Sequence, residues 1–144
     1  MPRFLGIDYG TKHIGLAVGD TDTGIASPIE TIEPGDAVAD QVKGVLVAAR
    51  AYGVDAFVVG LPLNMDGTEG EQARITRRFG NELARAGGKP IHYRDERLSS
   101  HEARELLQPS GLTRRKKKSV EDSIAAQVIL QEFLDTCGSP DDEG

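Results

Sequence analysis

Cysteine is almost absent from this chain of 144 residues: Cys137 stands alone near the C-terminus. A solitary thiol excludes an internal disulfide framework and a thiolate metal cluster within one chain. Long apolar runs are missing as well. No stretch approaches the roughly 18 apolar residues that a membrane-spanning helix needs. The N-terminus, M-P-R-F-L-G-I-D, enters a strand pattern at once, without the charged start, apolar stretch and cleavage site of a secretory signal. Internal repeats and low-complexity linkers are also lacking. These absences suit a cytoplasmic protein with no membrane partner. Net positive charge is lacking too: the formal balance is -6, which argues against a generic polyanion binder. The charges are uneven, however. Arg114, Arg115, Lys116, Lys117 and Lys118 are consecutive, whereas Asp141, Asp142 and Glu143 crowd the tail. Screening over about 8 Å lets a local basic patch attract phosphate on an acidic protein.

What is present is a chain long enough for one domain with a real core. Residues 3–8 and 13–19 have the pattern of strands, and 24–33 that of a third, interrupted by Pro28. Short turns between them predict an antiparallel meander, and Pro28 is easiest to place on an edge strand. Residues 36–52 repeat Val38, Val42, Val45, Leu46 and Ala49 at helical spacing, with Gly53 as C-cap. D-A-F-V-V-G-L-P, from Asp55, is a short strand closed by Pro62, and L-N-M-D-G-T-E-G is a loop. A helix over 70–86 ends at Gly87 and Gly88, and K-P-I-H-Y-R-D-E is the next strand. A further helix is expected from Ser99 or Ser100. Pro109 to Ser119 is expected to be irregular, and a last helix to run from Val120 to about Leu134. The order is β-β-β-α-β-α-β-α-α, which predicts one α/β sheet with helices on both faces. The expected domain covers 1–135, with a disordered acidic tail over 136–144.

The most informative stretch is F-L-G-I-D-Y-G-T-K-H-I-G-L-A-V, Phe4 to Val18. An apolar run carries Asp8 to its end, and Gly10 can supply a positive φ for the turn. Open α/β sheets hold ligands at the carboxyl ends of their strands, so an acid there faces a site. Asp95 and Glu96 end the last strand. If the first strand is central and parallel to it, Asp8 and one of these two acids converge. The last helix offers a third acid. On a helical wheel with Val120 at 0°, Ala125, Ala126, Ile129, Leu130 and Phe133 fill an arc from about 140° to 280°, and Asp122 falls near 200°, inside it. Glu121 falls near 100°, beside Glu132 and Asp135. An acid in an apolar stripe costs several kcal/mol unless it is paired, protonated or bound to metal. The plainer alternatives are a dipole-stabilised acid in the first turn or a salt bridge to the nearby lysines. Convergent carboxylates suit a hard cation, Mg²⁺ or Mn²⁺, and two such ions can drive phosphodiester hydrolysis. The basic segment lies just before Asp122 and would hold a nucleic-acid backbone over those acids. Its plainer alternative is a solvated charge run.

These residues resemble the YqgF or RuvX family, described as Holliday junction resolvases or pre-16S ribosomal RNA nucleases. The resemblance runs from about Phe4 to Leu134. It rests on G-I-D-Y-G-T-K-H-I-G-L-A at Gly6, V-V-G-L-P-L-N-M-D-G-T-E-G at Val58, Y-R-D-E-R-L-S-S at Tyr93 and V-E-D-S-I-A-A-Q-V-I-L-Q at Val120, in that order. It implies a ribonuclease H-like fold with a mixed five-stranded sheet. It implies that Asp8, Glu96 and Asp122 are the metal-binding catalytic acids, which chooses Glu96 over Asp95. Asn64, Asp66 and Gly67 match the family's loop and would shape the rim of the site. The first motif usually carries Arg where His13 stands here; the favoured reading is a tolerated surface change, and the alternative is a positive contact at the site mouth that is weakened or made pH-sensitive.

The reading that follows is a divalent-metal-dependent nuclease. Thr11, Lys12, Arg97, Arg114, Arg115, Lys116, Lys117 and Lys118 would contact the phosphate backbone of structured RNA or branched DNA. Junction resolution needs two symmetric cuts, hence a dimer, whereas RNA trimming does not. A monomer or weak homodimer is expected. Two alternatives remain. One is a non-catalytic, transcription-associated nucleic-acid-binding module on the same fold. The other is an actin-like ATPase fragment, since G-I-D-Y-G-T also resembles that superfamily's phosphate hairpin. The retained acids weigh against the first, and the want of a second phosphate motif weighs against the second.

Overall fold

The computed structural model describes residues 2–10, 12–33, 35–95 and 114–137, with the backbone alone for 114–122 and 137. Its strands are β1 (Arg3–Tyr9), β2 (Ile14–Asp20), β3 (Ala26–Ile32), β4 (Ala56–Leu61) and β5 (Ile91–Asp95). Its helices are α1 (Val38–Tyr52), α2 (Glu71–Gly87) and α3 (Arg114–Cys137). The strands form one mixed sheet in the order β3-β2-β1-β4-β5. β1, in the centre, pairs antiparallel with β2 and parallel with β4, and β4 pairs parallel with β5. The expected meander, the central first strand and the mixed five-stranded sheet are therefore all present.

Local chemistry explains most of these elements. Every residue of β4, A-F-V-V-G-L, is buried, as an inner parallel strand covered on both faces requires. Pro28 sits on β3, at an edge of the sheet, where a missing N–H costs no ladder bond. Its register shifts there: Leu16 pairs with Glu30 and Ala17 with Pro28. α1 stops at Gly53, whose φ of 63° is left-handed and whose N–H reaches the Ala49 and Arg50 carbonyls. α2 stops in the same way at Gly88, the second glycine of the pair expected to end it.

Strand alternation divides the core in two. Leu5, Ile7 and Tyr9 of β1 face α1 and α2, with Ile14, Leu16, Phe57, Val59, Val42, Val45, Phe79 and Leu83. Phe4 of β1 faces α3, with Ala17, Ala56, Val58, Ala126, Ile129, Leu130 and Leu134. Helices thus cover both faces, as expected.

Three expectations need correction. Gly10 is not among the glycines of positive φ. The turn instead needs a missing side chain, because a Cβ there would lie 2.7 Å from the His13 carbonyl oxygen. The basic run is not irregular from Arg114 on: it forms the first turns of α3. Arg and Lys are good helix formers, but five in a row show no apolar period that would mark a helix. The last helix also runs through Cys137 rather than stopping near Leu134. The helix expected from Ser99 or Ser100, residues 109–113 of the expected irregular segment and the tail from 138 onward lie outside the described residues.

Candidate active site

Asp8 is the sixth residue of β1, directly opposite Gly15 of β2, and it is half-buried. Ile7 is level with Val59, and Val59 with Tyr93, so Asp8 lies at the carboxyl ends of three parallel strands. The turn beyond it carries exposed Lys12 and the half-exposed His13. His13 Nε2 stands 3.9 Å from Glu33 Oε2, and both side chains are open to water, so the pair is weak.

The alternation that gives one face of β1 Leu5, Ile7 and Tyr9 gives the other Phe4, Gly6 and Asp8. Gly6 is the floor on which α3 lies. A Cβ there would stand 2.7 Å from Leu130 Cβ and 2.9 Å from the Ala126 carbonyl oxygen. At Gly19, toward the far end, a Cβ would stand 2.7 Å from the Ile25 carbonyl oxygen and 2.9 Å from Leu134 Cδ1. Since Phe4 pairs with Gly19 and Gly6 with Ala17, α3 runs against β1. From Gly6 to Asp8 is two strand residues, about 6.6 Å. From Ala126 back to residue 122 is four helix residues, about 6 Å. The turn of α3 that carries Asp122 is therefore level with Asp8.

Two glutamines fix the rotation of α3. Gln131 accepts the Ala26 N–H at 2.9 Å and donates to the Gly24 carbonyl at 2.7 Å. Gln127 donates to the Ala26 carbonyl at 3.0 Å. These bonds satisfy backbone groups at the start of edge strand β3 and hold the helix in one phase. Ring contacts help at its C-terminal end, where Phe133 packs on Phe4 and His92 with centroids 5.0 and 4.9 Å apart.

The end of β5 is braced from the other face. Glu69, just before α2, accepts both Arg77 Nε at 2.8 Å and Arg77 Nη2 at 2.7 Å. The same guanidinium lies 4.7 Å from the centroid of the Tyr93 ring. The Arg77 hydrogen bond holds the Glu69 carboxyl below its ordinary range, and burial pushes the Tyr93 phenol up. Among the described residues Tyr93 Oη, buried against Gly80, has no hydrogen-bond partner, and a Cβ at Gly80 would collide with it. The β4–α2 loop closes on itself at the same sheet edge. Asp66 Oδ1 accepts the Thr68 N–H at 3.0 Å and its hydroxyl at 2.6 Å, Asn64 Nδ2 donates to Thr68 Oγ1 at 3.0 Å, and Gly67 has a φ of 88°. The expected rim residues Asn64, Asp66 and Gly67 are thus a preformed turn.

Among the described residues no three His, Cys, Asp or Glu side chains gather as a metal site. Of the three expected acids, Asp8 alone has a described side chain. Asp122 is placed by its backbone on α3, and Glu96 lies outside the described residues, as do Thr11 and Arg97. Arg114, Arg115, Lys116, Lys117 and Lys118 are placed on α3 by backbone. All three acids offer only hard oxygen donors, which fits a divalent ion such as Mg²⁺ or Mn²⁺. Sequence reasoning missed Gly6, Gly19, Gln127 and Gln131. Glycine inside a strand pattern was the available signal, since it marks a close backbone approach.

The comparisons agree with this architecture. A protein from Anaeromyxobacter sp. (strain Fw109-5), named as an inferred pre-16S rRNA nuclease, is 44% identical over 133 residues, covering 92% of this chain and 96% of that protein. A protein of the same name from Moorella thermoacetica is 40% identical over 136 residues, covering 94% and 96%. In fold, the chain is similar to RuvC of T. thermophilus in complex with a Holliday junction substrate, with a TM-score of 0.60, 15% identity and coverage of 95% and 96%. It is also similar to the yeast mitochondrial Holliday junction resolvase, with a TM-score of 0.54, 10% identity and coverage of 95% and 82%. The fold is therefore ribonuclease H-like, as the resemblance implied. The model of the RuvX family, described as Holliday junction resolvase, matches residues 2–136, and the chain belongs to that family.

Proposed function

We propose that this chain is a divalent-metal-dependent nuclease that processes the 5′ end of pre-16S rRNA. Membership of the RuvX family makes it an enzyme that hydrolyses phosphodiester bonds in nucleic acid, and favours that over a binding module or an ATPase fragment. The observation that carries the reading is the seating of α3 on Gly6, with the turn of residue 122 level with Asp8. In this reading Asp8, Glu96 and Asp122 hold Mg²⁺ or Mn²⁺. A divalent ion held there supplies positive charge at the reacting phosphate and a nucleophile at neutral pH. Asp8 contributes a carboxylate fixed by the central strand, whose position depends on the sheet rather than on a loop. Thr11, Lys12, Arg97 and cations from the basic run that opens α3 hold the phosphate backbone and orient the scissile bond. The self-bonded loop of Asn64, Asp66 and Gly67 limits where the strand can lie. His13 stands at the mouth, beside Glu33, without the permanent charge of an arginine.

RNA processing is favoured as the substrate because the relatives at 40–45% identity carry that name. The family description favours a second reading, resolution of a four-way DNA junction, which needs paired cuts and hence a dimer. The first reading places a monomer or weak homodimer in the cytoplasm. The test is incubation with precursor 16S rRNA and with a synthetic four-way junction, in Mg²⁺, Mn²⁺ or EDTA, beside Asp8→Asn. Trimming of the RNA that is lost in EDTA and in the variant is expected. Symmetric junction nicks with untouched RNA would replace it with the second reading, and undiminished cleavage by Asp8→Asn would remove Asp8 from catalysis.

A further inference from the structure

The five consecutive cations cannot act alike once they are helical. A solvated loop would present all five to a ligand, but α3 is helical from Arg114. Successive residues turn by about 100°. The phase of α3 is fixed further along by the seating of Ala126 and Leu130 on Gly6 and by the bonds of Gln127 and Gln131 to β3. Carrying that phase back toward the N-terminus gives each cation a position relative to residue 122. Arg115 falls about 20° from it and Lys118 about 40° from it on the other side. Lys117 falls about 140° away. Positions 18 residues apart complete five turns and share a phase, which ties this end to the described side chains. Arg115 shares the phase of Phe133, which packs on Phe4 of β1. Lys117 shares that of Asp135 and Lys118 that of Thr136, both exposed at the far end of the helix, so it is the angle from residue 122 that separates these two lysines.

The axial spacing points the same way. Residue 122 is level with Asp8 near the carboxyl end of β1, so earlier residues of α3 extend toward and beyond that sheet edge. Residue 118 lies about 6 Å further out and residue 115 about 10 Å. A backbone phosphate bound at Asp8 would have its neighbours in that range.

We propose that Arg115 and Lys118, on the stripe of α3 that carries Asp122, are the residues of the basic run that hold the substrate's phosphate backbone, and that Lys117 on the opposite face does not. This rests on the nuclease reading above. Each protein–phosphate contact releases counterions and adds about 0.7 to 0.9 to the slope of log affinity against log salt. Electrostatic attraction alone would make the three cations equivalent, since each change removes one charge. Contact makes them different.

The test compares Arg115→Gln, Lys118→Gln and Lys117→Gln in the full chain. The readout is fluorescence anisotropy of labelled RNA spanning the 5′ end of the 16S precursor, in EDTA, across a salt series. Gln is close to Arg and Lys in helix propensity, so far-UV circular dichroism should be alike for all four proteins. The salt slope is expected to fall by about 0.7 to 0.9 for Arg115→Gln and for Lys118→Gln, and to stay at the wild-type value for Lys117→Gln. Equal slopes for the three variants, with clear binding by the wild type, would overturn the assignment and leave the nuclease reading standing. No binding by the wild type would count against the RNA reading itself and remove this assignment with it.

Discussion

The two faces of β1 take alternate residues of one seven-residue strand and differ sharply in character. Toward α1 and α2 the strand presents Leu5, Ile7 and Tyr9, all buried among large apolar neighbours. Tyr9 stacks on Phe79 with centroids 4.3 Å apart and donates its hydroxyl to Gln41 Oε1 at 2.7 Å, so even its polar atom is satisfied in the core. Toward α3 it presents Phe4, Gly6 and Asp8, a series that shrinks to nothing and then ends in charge. The first face stabilises by area. The second gives up that area at Gly6 so that a helix backbone can come close, and the acid beside it lies at the level of the helix turn that bears Asp122. A two-residue period thus separates an apolar face from one that carries an acid on a single strand.

The sharpest test of that division is Asp8→Asn, where cleavage should fall below detection with the melting temperature close to wild type. A large loss of stability instead would make Asp8 a structural residue. The opposite extreme is Phe79→Ala, which empties the α2 side. It should cost about 3–5 kcal/mol by chemical denaturation, with activity per folded molecule retained. Gly6→Ala should invert that pattern. Its Cβ has no room between Leu130 and the Ala126 carbonyl, so the helix must shift, at about 1–3 kcal/mol of stability and a disproportionate loss of kcat. If the Gly6 and Phe79 variants lose activity in proportion to stability, the two faces are not separable. The smallest expected effect is Glu69→Gln. Because the Arg77 hydrogen bond holds the Glu69 carboxyl below its ordinary range, the stabilisation is present at neutral pH and lost as pH falls through the folded value. Wild type should melt slightly above the variant at pH 7, and the two should become level once the pH has fallen below the lowered folded value of the carboxyl.

Much of this was legible in the chain. The strand pattern of Phe4 to Val18 predicted the β1–β2 pair, Pro28 predicted an edge and Gly53 predicted a left-handed cap, each through chemistry that acts within a few residues. The start of α3 was not legible, because a run of cations has no apolar period. Packing further along the helix sets which side of it meets the sheet. Gly10 shows a subtler limit: glycine was expected, but for its φ, whereas the reason is the nearby His13 carbonyl.

What the sequence determined by itself is therefore local: which segments are strands or helices, which turn ends them, and which acids have no apolar reason to be where they are. Its motifs also pointed to the family. The tertiary structure decided where the turn of residue 122 lies along the central strand. Asp8 and residue 122 are 114 positions apart in the chain, and no periodicity relates them. They come level because Gly6 lets α3 lie against the sheet and because Gln127 and Gln131 fix its rotation on β3. That placement depends on contacts across the whole sheet, which is why no short window of sequence contains it.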